Sequence, residues 1–427
     1  MRASQRVTLS TRGFTLEAIQ LIAMPNKDPN HSSQTVNDRQ TLIKGAHRIV
    51  IKLGTAVLMK DEGGIALSRF YSFVEAIAAL VKSGKEVLLV TSGAIGLGSR
   101  TLGLTAKPKL LPLKQACAAV GQGRLMALYS DAFEKCDVVA AQVLLTEEDF
   151  SNRKRYLNLR STITQLLELH VLPVINENDT VSTAELEMLK SELKAEVDIK
   201  VNFGDNDKLS ALVASKIDAD LLIILTDVEG LYTADPRSGP EAKLISVVEQ
   251  FTPEIDQLAE SKIAGDKPGR GGIKTKLAAA RIATQSGCAA IIASGKSDNI
   301  IARIFAGEDL GTLFLAHGGL SGKQKWIAFA TTVKATLVVN EGAKVALKKG
   351  KASLLPAGVV EVKGHFERGD VVSVAAHDGN EFARGIVNYS SEEARLVSGH
   401  HSDTLSELKE SRNYDALITR DNIAFLE

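Results

Sequence analysis

Glu86-Val87-Leu88-Leu89-Val90-Thr91-Ser92-Gly93-Ala94 is the stretch that decides the fold. Four consecutive apolar residues, two of them β-branched, read as a strand buried on both faces. The polar Thr-Ser-Gly turn breaks that strand, and Ala94 opens a helix. Upstream, Phe70, Phe73, Val74, Ile77, Leu80 and Val81 recur at helical spacing, and Gly84 ends that helix. Before it, Ile49-Val50-Ile51 reads as a strand, continued beyond Gly54 by Ala56-Val57-Leu58. Downstream the alternation repeats, with strands expected over 138–145, 171–175, 221–225 and 289–293. Helices are expected over 157–169, 209–217 and 274–286. Such alternation predicts an α/β fold, a mainly parallel central sheet sandwiched by helices.

The pattern changes after Phe314. Residues 317–325 are rich in Gly, Ser and Lys, and short strand-like pieces follow over 335–339, 358–362, 371–375 and 382–387. The expected organisation is a disordered leader over 1–44, an α/β domain over 45–316, a linker over 317–330 and a small β-rich domain over 331–427. Met1 to Thr15 holds no acidic residue, and it reads as a disordered extension, with Met24 an alternative start. A charged, helix-prone run between Val181 and Asn202 reads as a surface insertion.

The chain has 427 residues, more than one ordinary core, so two folded domains are expected. Lysine plus arginine balance aspartate plus glutamate, 51 against 51, so no global field draws the chain to nucleic acid or anionic lipid. Cys117, Cys136 and Cys288 are odd in number and far apart, which excludes a disulfide framework or a CxxC zinc site. Buried free thiols of this kind suit a cytoplasmic location. No apolar run is long enough to span a bilayer, so no membrane role is expected.

Ligands in parallel sheets bind at the C-terminal ends of strands. Polar and glycine-bearing segments gather there: Lys52-Leu53-Gly54-Thr55, Thr91-Ser92-Gly93-Ala94, Asn176-Glu177-Asn178-Asp179 and Thr226-Asp227. Gly204-Asp205-Asn206-Asp207 and Gly269-Arg270-Gly271-Gly272-Ile273-Lys274-Thr275-Lys276 precede helices. Amides in glycine turns and at helix N-termini take anions. Lys52 and Lys276 add positive charge suited to a phosphoryl group. Asp207 can hold both ammonium groups in place or help bind Mg²⁺. Asn176, Asn178, Asp179 and Asn206 suit a zwitterionic amino acid, and Thr226 with Asp227 a base or ribose. Each segment alone reads equally well as turn chemistry, a capped helix or a solvated lysine. No Ser-His-Asp signature, HExxH or G-x-S-x-G elbow is present.

Together and in this order, these segments resemble the glutamate 5-kinases of the amino acid kinase superfamily. The match runs from about Arg48 to the C-terminus. It is carried most specifically by Val90-Thr91-Ser92-Gly93-Ala94-Ile95, Pro173-Val174-Ile175-Asn176-Glu177-Asn178-Asp179, Gly204-Asp205-Asn206-Asp207 and Gly230-Leu231-Tyr232-Thr233-Ala234-Asp235-Pro236-Arg237. Gly364-His365-Phe366-Glu367-Arg368-Gly369-Asp370 resembles the turn of a PUA domain. The resemblance implies ATP- and Mg²⁺-dependent phosphorylation of the γ-carboxylate of L-glutamate, proline as inhibitor, and a homo-oligomer, dimer or tetramer. Carried over, Lys52, Asp207 and Lys276 are catalytic, and Ser92, Asp179 and Asn206 bind glutamate. Lys52, Gly54, Thr226, Asp227, Arg270, Gly271, Gly272, Ile273, Lys274, Thr275 and Lys276 contact the nucleotide. A carboxylate is already ionised at neutral pH, so the absence of a histidine base fits. Two rivals stand beside this reading: a kinase of another acid or phosphate on the same fold, and an RNA-binding protein acting through the PUA-like tail, which the neutral charge disfavours.

Overall fold

The computed structural model describes residues 39–60, 64–106, 108–146, 148–182, 206–234, 241–260, 272–317, 322–328, 333, 335–349, 352–399 and 416–426. The insertion over 181–202 therefore lies almost wholly outside the described residues, as do residues 1–38, Arg270, Gly271, Gly204 and Asp205.

Among the described residues eight strands form one sheet: β1 (Arg48–Leu53), β2 (Glu86–Val90), β3 (Ala140–Leu145), β4 (Leu172–Glu177), β5 (Leu221–Thr226), β6 (Val247–Val248), β7 (Ala289–Ser294) and β8 (Thr312–Phe314). Their order is β3-β4-β2-β1-β5-β7-β8-β6. All pairings are parallel except β7 with β8. The expected mainly parallel sheet is thus present.

Alternation along each strand sends side chains to two separate cores. Val50, Leu88, Val90, Ile175, Leu222 and Ile224 enter one. Ile49, Ile51, Leu89, Val174, Leu221, Ile223 and Leu225 enter the other. Every residue of β5 is buried, as a central parallel strand covered on both faces requires.

Five helices position the site: α1 (Leu67–Lys82), α2 (Ala94–Thr101), α3 (Leu111–Glu134), α4 (Asn206–Lys216) and α5 (Ile273–Gln285). Residues of α4 and α5 pack in the first core. Residues of α1 and α3, including Phe70, Leu125, Tyr129 and Phe133, pack in the second. α2 and α3 touch backbone to backbone. A Cβ on Gly121 would sit 1.8 Å from the Ala94 carbonyl oxygen, and one on Gly98 would sit 1.8 Å from that of Cys117.

Three local expectations are corrected. Residues 55–58 form one helical turn (Thr55–Leu58) after Gly54 instead of continuing the strand. Gly54 donates its N–H to the Leu225 carbonyl at 3.1 Å, which ties the turn to β5. The chain is already helical over residues 39–45, all but the last of them in the span expected as leader. There Arg39 is 4% exposed and donates to the carbonyls of Ser246 and Leu310 at 2.7 and 2.5 Å. The stretch read as linker carries a helix (Gly322–Ala328), whose Trp326, Ile327 and Ala328 are buried.

The remaining strands, β9 (Ala335–Val339), β10 (Val359–Gly364), β11 (Val371–Ala375), β12 (Glu381–Ile386) and β13 (Ile423–Phe425), form a second sheet ordered β10-β9-β11-β12-β13. It has its own core, including Leu337, Val372, Val374 and Ile418. The two sheets meet where Val371 and Ala424 join Trp326 in the first core, and Gln285 Nε2 donates to the Leu426 carbonyl at 2.8 Å. All three cysteines are free thiols, Cys117 and Cys288 buried and Cys136 half-buried. Among the described residues no helix is long and apolar enough to cross a membrane.

Candidate active site

Register aligns the strand ends. Lys52 pairs with Val90 on β2 and with Ile224 on β5, and Val90 pairs with Ile175 on β4. One step further lie Thr91, Asn176 and Leu225, with Thr226 next, so the sequence motifs share one rim. The sheet turns at β1: the chain first moves from β1 to β2 and later adds β5 on the opposite side. A crevice opens at such a switch point, and Lys52 stands in it.

Alternation decides where Lys52 goes. It has the parity of Val50, so its side chain leaves on the face carrying α4 and α5. There Lys52 Nζ lies 2.5 Å from Asp207 Oδ1, and Lys276 Nζ lies 3.2 Å from Asp207 Oδ2. Thr275 Oγ1 donates to the same Oδ2 at 3.0 Å. All three charged residues are buried, Asp207 to 0% exposure. Asp207 is the second residue of α4, and Thr275 and Lys276 belong to the first turn of α5, which Gly272 caps. Both helix N-termini therefore face the triad and add their own positive ends.

Burial pushes the Asp207 carboxyl towards its neutral form, but the ammonium groups of Lys52 and Lys276 outweigh burial and hold it below the usual carboxylate range. Among the described residues, two buried cations, Lys52 and Lys276, meet at the one Asp207 carboxylate. A buried cluster of that kind gains from an anion placed beside it. The arrangement is thus suited to an incoming phosphate.

A second cluster lies beside it, towards β2 and β4. Asn206, first residue of α4, places Nδ2 2.6 Å from the Thr91 carbonyl, 2.9 Å from Ser92 Oγ and 3.0 Å from Asn176 Oδ1. Ser92 had two readings, anion pocket or helix N-cap. The cap of α2 is Gly93, held at φ +101°, a left-handed conformation that favours glycine. Ser92 is released from capping and joins the Asn206 cluster. Asp179 follows β4 in a turn and is half-buried.

On the other side of Lys52, towards β5 and β7, Thr226 is 4% exposed and donates to the exposed Asp227 carboxylate at 3.1 Å. Gly295 donates its N–H to the Thr226 carbonyl at 2.8 Å. Ile273 is half-buried and Lys274 exposed at the head of α5. The structure thus brings Lys52, Asp207, Lys276 and Thr275 into direct contact, with Ser92 and Asn206 in contact on one flank and Thr226 and Asp227 on the other.

Two residues escaped the sequence reading because α3 itself was not anticipated. Gln122 Oε1 accepts from Asn176 Nδ2 at 2.8 Å, and the Tyr129 hydroxyl lies 2.8 Å from Thr91 Oγ1. Thr91 and Asn176 have the parity of Leu89 and Val174, so they face α3. Parity alone, applied to the two rim residues, would have pointed to this helix.

A family model described as the amino acid kinase family matches residues 47–294, and a PUA domain model matches residues 335–408. The chain belongs to the amino acid kinase family. Within it, the likeness runs over nearly the whole length to glutamate 5-kinases. That of Caldanaerobacter subterraneus subsp. tengcongensis is 47% identical over 89% of this chain and 98% of its own. That of Geobacter sp. is 44% identical over 91% of this chain and 100% of its own. That of Methanosarcina acetivorans is 43% identical over 92% of this chain and 99% of its own. The protein is a kinase with a C-terminal PUA domain.

Proposed function

We propose that this kinase transfers the γ-phosphoryl group of ATP to the side-chain carboxylate of L-glutamate, giving γ-glutamyl phosphate and ADP. What carries the reading is one observation: the Lys52–Asp207–Lys276 triad sits between an amide cluster suited to an amino acid and a polar strand end suited to a nucleotide. The glutamate 5-kinase relatives, matched almost end to end, support the choice of acid.

The chemistry follows from charge. A carboxylate oxygen attacks the γ-phosphorus in line, the bond from that phosphorus to the β,γ-bridging oxygen breaks, and ADP leaves with the electron pair. The nucleophile is ionised already, so no general base is needed. Catalysis is alignment plus stabilisation of charge spread over the moving phosphoryl oxygens. Lys52 and Lys276 supply that stabilisation, and Asp207 fixes where their ammonium groups stand. Both Asp207 oxygens are engaged by lysines, so Mg²⁺ would be held mainly by the ATP phosphates, where it would neutralise phosphate charge.

Ser92, Asp179 and Asn206 bind the amino acid. Thr226, Asp227 and the segment from Arg270 to Lys276 bind ATP, with Gly54 beside its phosphates. Proline, which shares glutamate's α-carboxylate and nitrogen, competes at the amino acid side and acts as feedback inhibitor. The PUA-bearing region over 331–427 and the kinase region over 45–316 act as one enzyme that assembles into a homo-oligomer.

The test is ATP-dependent ADP release across glutamate, aspartate, N-acetylglutamate and carbamate, with and without proline. Glutamate should give the highest kcat/KM by at least about a hundredfold, since a site built to hydrogen-bond its substrate rejects analogues that leave those groups unpaired. A preference for any other acid would overturn the reading.

A further inference from the structure

The α3 contact with the rim has a polarity that reaches the ligand. A primary amide presents two N–H donors on one side and a carbonyl acceptor on the other. Which way it points is decided by its hydrogen-bond network. The Thr91 carbonyl can only accept, and Asn206 Nδ2 lies 2.6 Å from it, so the Asn206 nitrogen faces inward. Its neighbour Asn176 offers Oδ1 at 3.0 Å, which requires the Asn176 nitrogen to point away, towards α3. Gln122 Oε1 receives that nitrogen at 2.8 Å. The chain of amides runs Gln122, Asn176, Asn206, with an acceptor at each inner contact. Both Asn206 hydrogens are spent on protein acceptors, so the group Asn206 turns to a ligand is its oxygen.

We propose that Gln122 is a specificity-determining positioning residue: through Asn176, and alongside the Thr91 carbonyl and Ser92 Oγ, it holds Asn206 with its carbonyl oxygen towards the cleft, and so selects a substrate bearing an ammonium group over the same diacid without one. This rests on the reading of the cleft as an amino acid site. Gln122 is half-buried and meets the rim at Asn176. The close approach of α3 that brings it there depends on Gly121, whose missing side chain admits the Ala94 carbonyl. Losing the Gln122 acceptor leaves Asn176 free to turn its nitrogen towards Asn206. Donor would then face donor, and Asn206, still held by the Thr91 carbonyl and Ser92 Oγ, would be pushed off the rotation in which all three acceptors are met.

The probes are L-glutamate and glutarate, five-carbon diacids that differ by the ammonium group. Gln122→Met removes the acceptor at nearly constant volume. Gln122→Glu keeps an acceptor in the same place. In Gln122→Met, glutamate KM should rise about tenfold while glutarate kcat/KM changes little, as expected when one substrate-orienting hydrogen bond is lost. The preference for glutamate over glutarate then narrows by the same factor, with ATP KM unchanged. Gln122→Glu should keep the wild-type preference. Should Gln122→Met fail to fold, Gln122→Asn, which withdraws the acceptor by one methylene, carries the same expectation. An equal fall with both diacids, or a Gln122→Glu preference as narrow as that of Gln122→Met, would mean Gln122 is only structural and overturn the inference. A wild-type enzyme that releases no ADP with glutamate would fail the site reading itself, which is a separate outcome in the same assay.

Discussion

Lys52 Nζ and Asp207 Oδ1 stand 2.5 Å apart, joining a β1 side chain to the head of α4. Lys276 reaches the other carboxylate oxygen from α5. Asp207 is thus the point where three separate elements of the sheet-and-helix layer are tied, and its removal takes a shared carboxylate from two buried cations.

Asp207→Asn preserves shape and removes that tie. Breaking a buried pair by deleting one charge costs about 3–5 kcal/mol. Denaturant unfolding should show a loss of that order, and kcat should fall together with it because the two ammonium groups are no longer positioned. Unchanged stability would mean the triad is not the buried network described.

The pH dependence has a definite sign. The Asp207 carboxyl is held below its ordinary value, so its contribution to stability is fully present above the unfolded carboxylate pKa of about 4 and is lost as pH falls through the folded one. The stability difference between wild type and Asp207→Asn should stay flat from pH 7 to about pH 4 and shrink below it. A difference that shrinks between pH 7 and pH 5 would contradict this.

Lys52→Ala and Lys276→Ala should each lower kcat by about two orders of magnitude, because each removes charge stabilisation made in the transition state. Retained wild-type turnover in both would refute their role.

The flanks should separate by substrate. Asp179→Ala is expected to raise glutamate KM with ATP KM little changed, and Asp227→Ala the reverse. Exchange of the two patterns would mean the pockets are swapped about Lys52.

Gly121→Ala adds a Cβ 1.8 Å from the Ala94 backbone carbonyl, where no side chain can swing aside. Overpacking of this kind costs about 1–3 kcal/mol or more, so a lowered melting temperature is expected.

Much of this was legible in the sequence. The buried run over Val87–Val90 and its repeats fixed the parallel sheet, and the polar residues at strand ends marked the rim. Asp207, Lys52 and Lys276 were singled out by charge and glycine context. What sequence left ambiguous was local. Ala56-Val57-Leu58 is apolar enough for a strand, but the turn at Gly54, pinned to Leu225, makes it a helix. α3 begins with Leu111-Pro112-Leu113 and is interrupted by Gly121 and Gly123, so its periodicity is weak. Its close approach to α2 at Gly98 and Gly121 is a tertiary contact. The link from Gln122 to Asn176 was hidden for the same reason. Arg39 lies in a polar stretch, and its burial is explained by tertiary partners, the Ser246 and Leu310 carbonyls and the Asp309 carboxylate 3.0 Å away.

Hydroxylamine trapping tests the central claim most directly, because an acyl phosphate yields a hydroxamate and a free carboxylate does not. With ATP, Mg²⁺ and L-glutamate the enzyme should form one γ-glutamyl hydroxamate for each ADP released, and Lys276→Ala should lose both together. ADP release without hydroxamate, or hydroxamate formation that survives loss of both Lys52 and Lys276, would contradict phosphoryl transfer to the glutamate carboxylate at this triad.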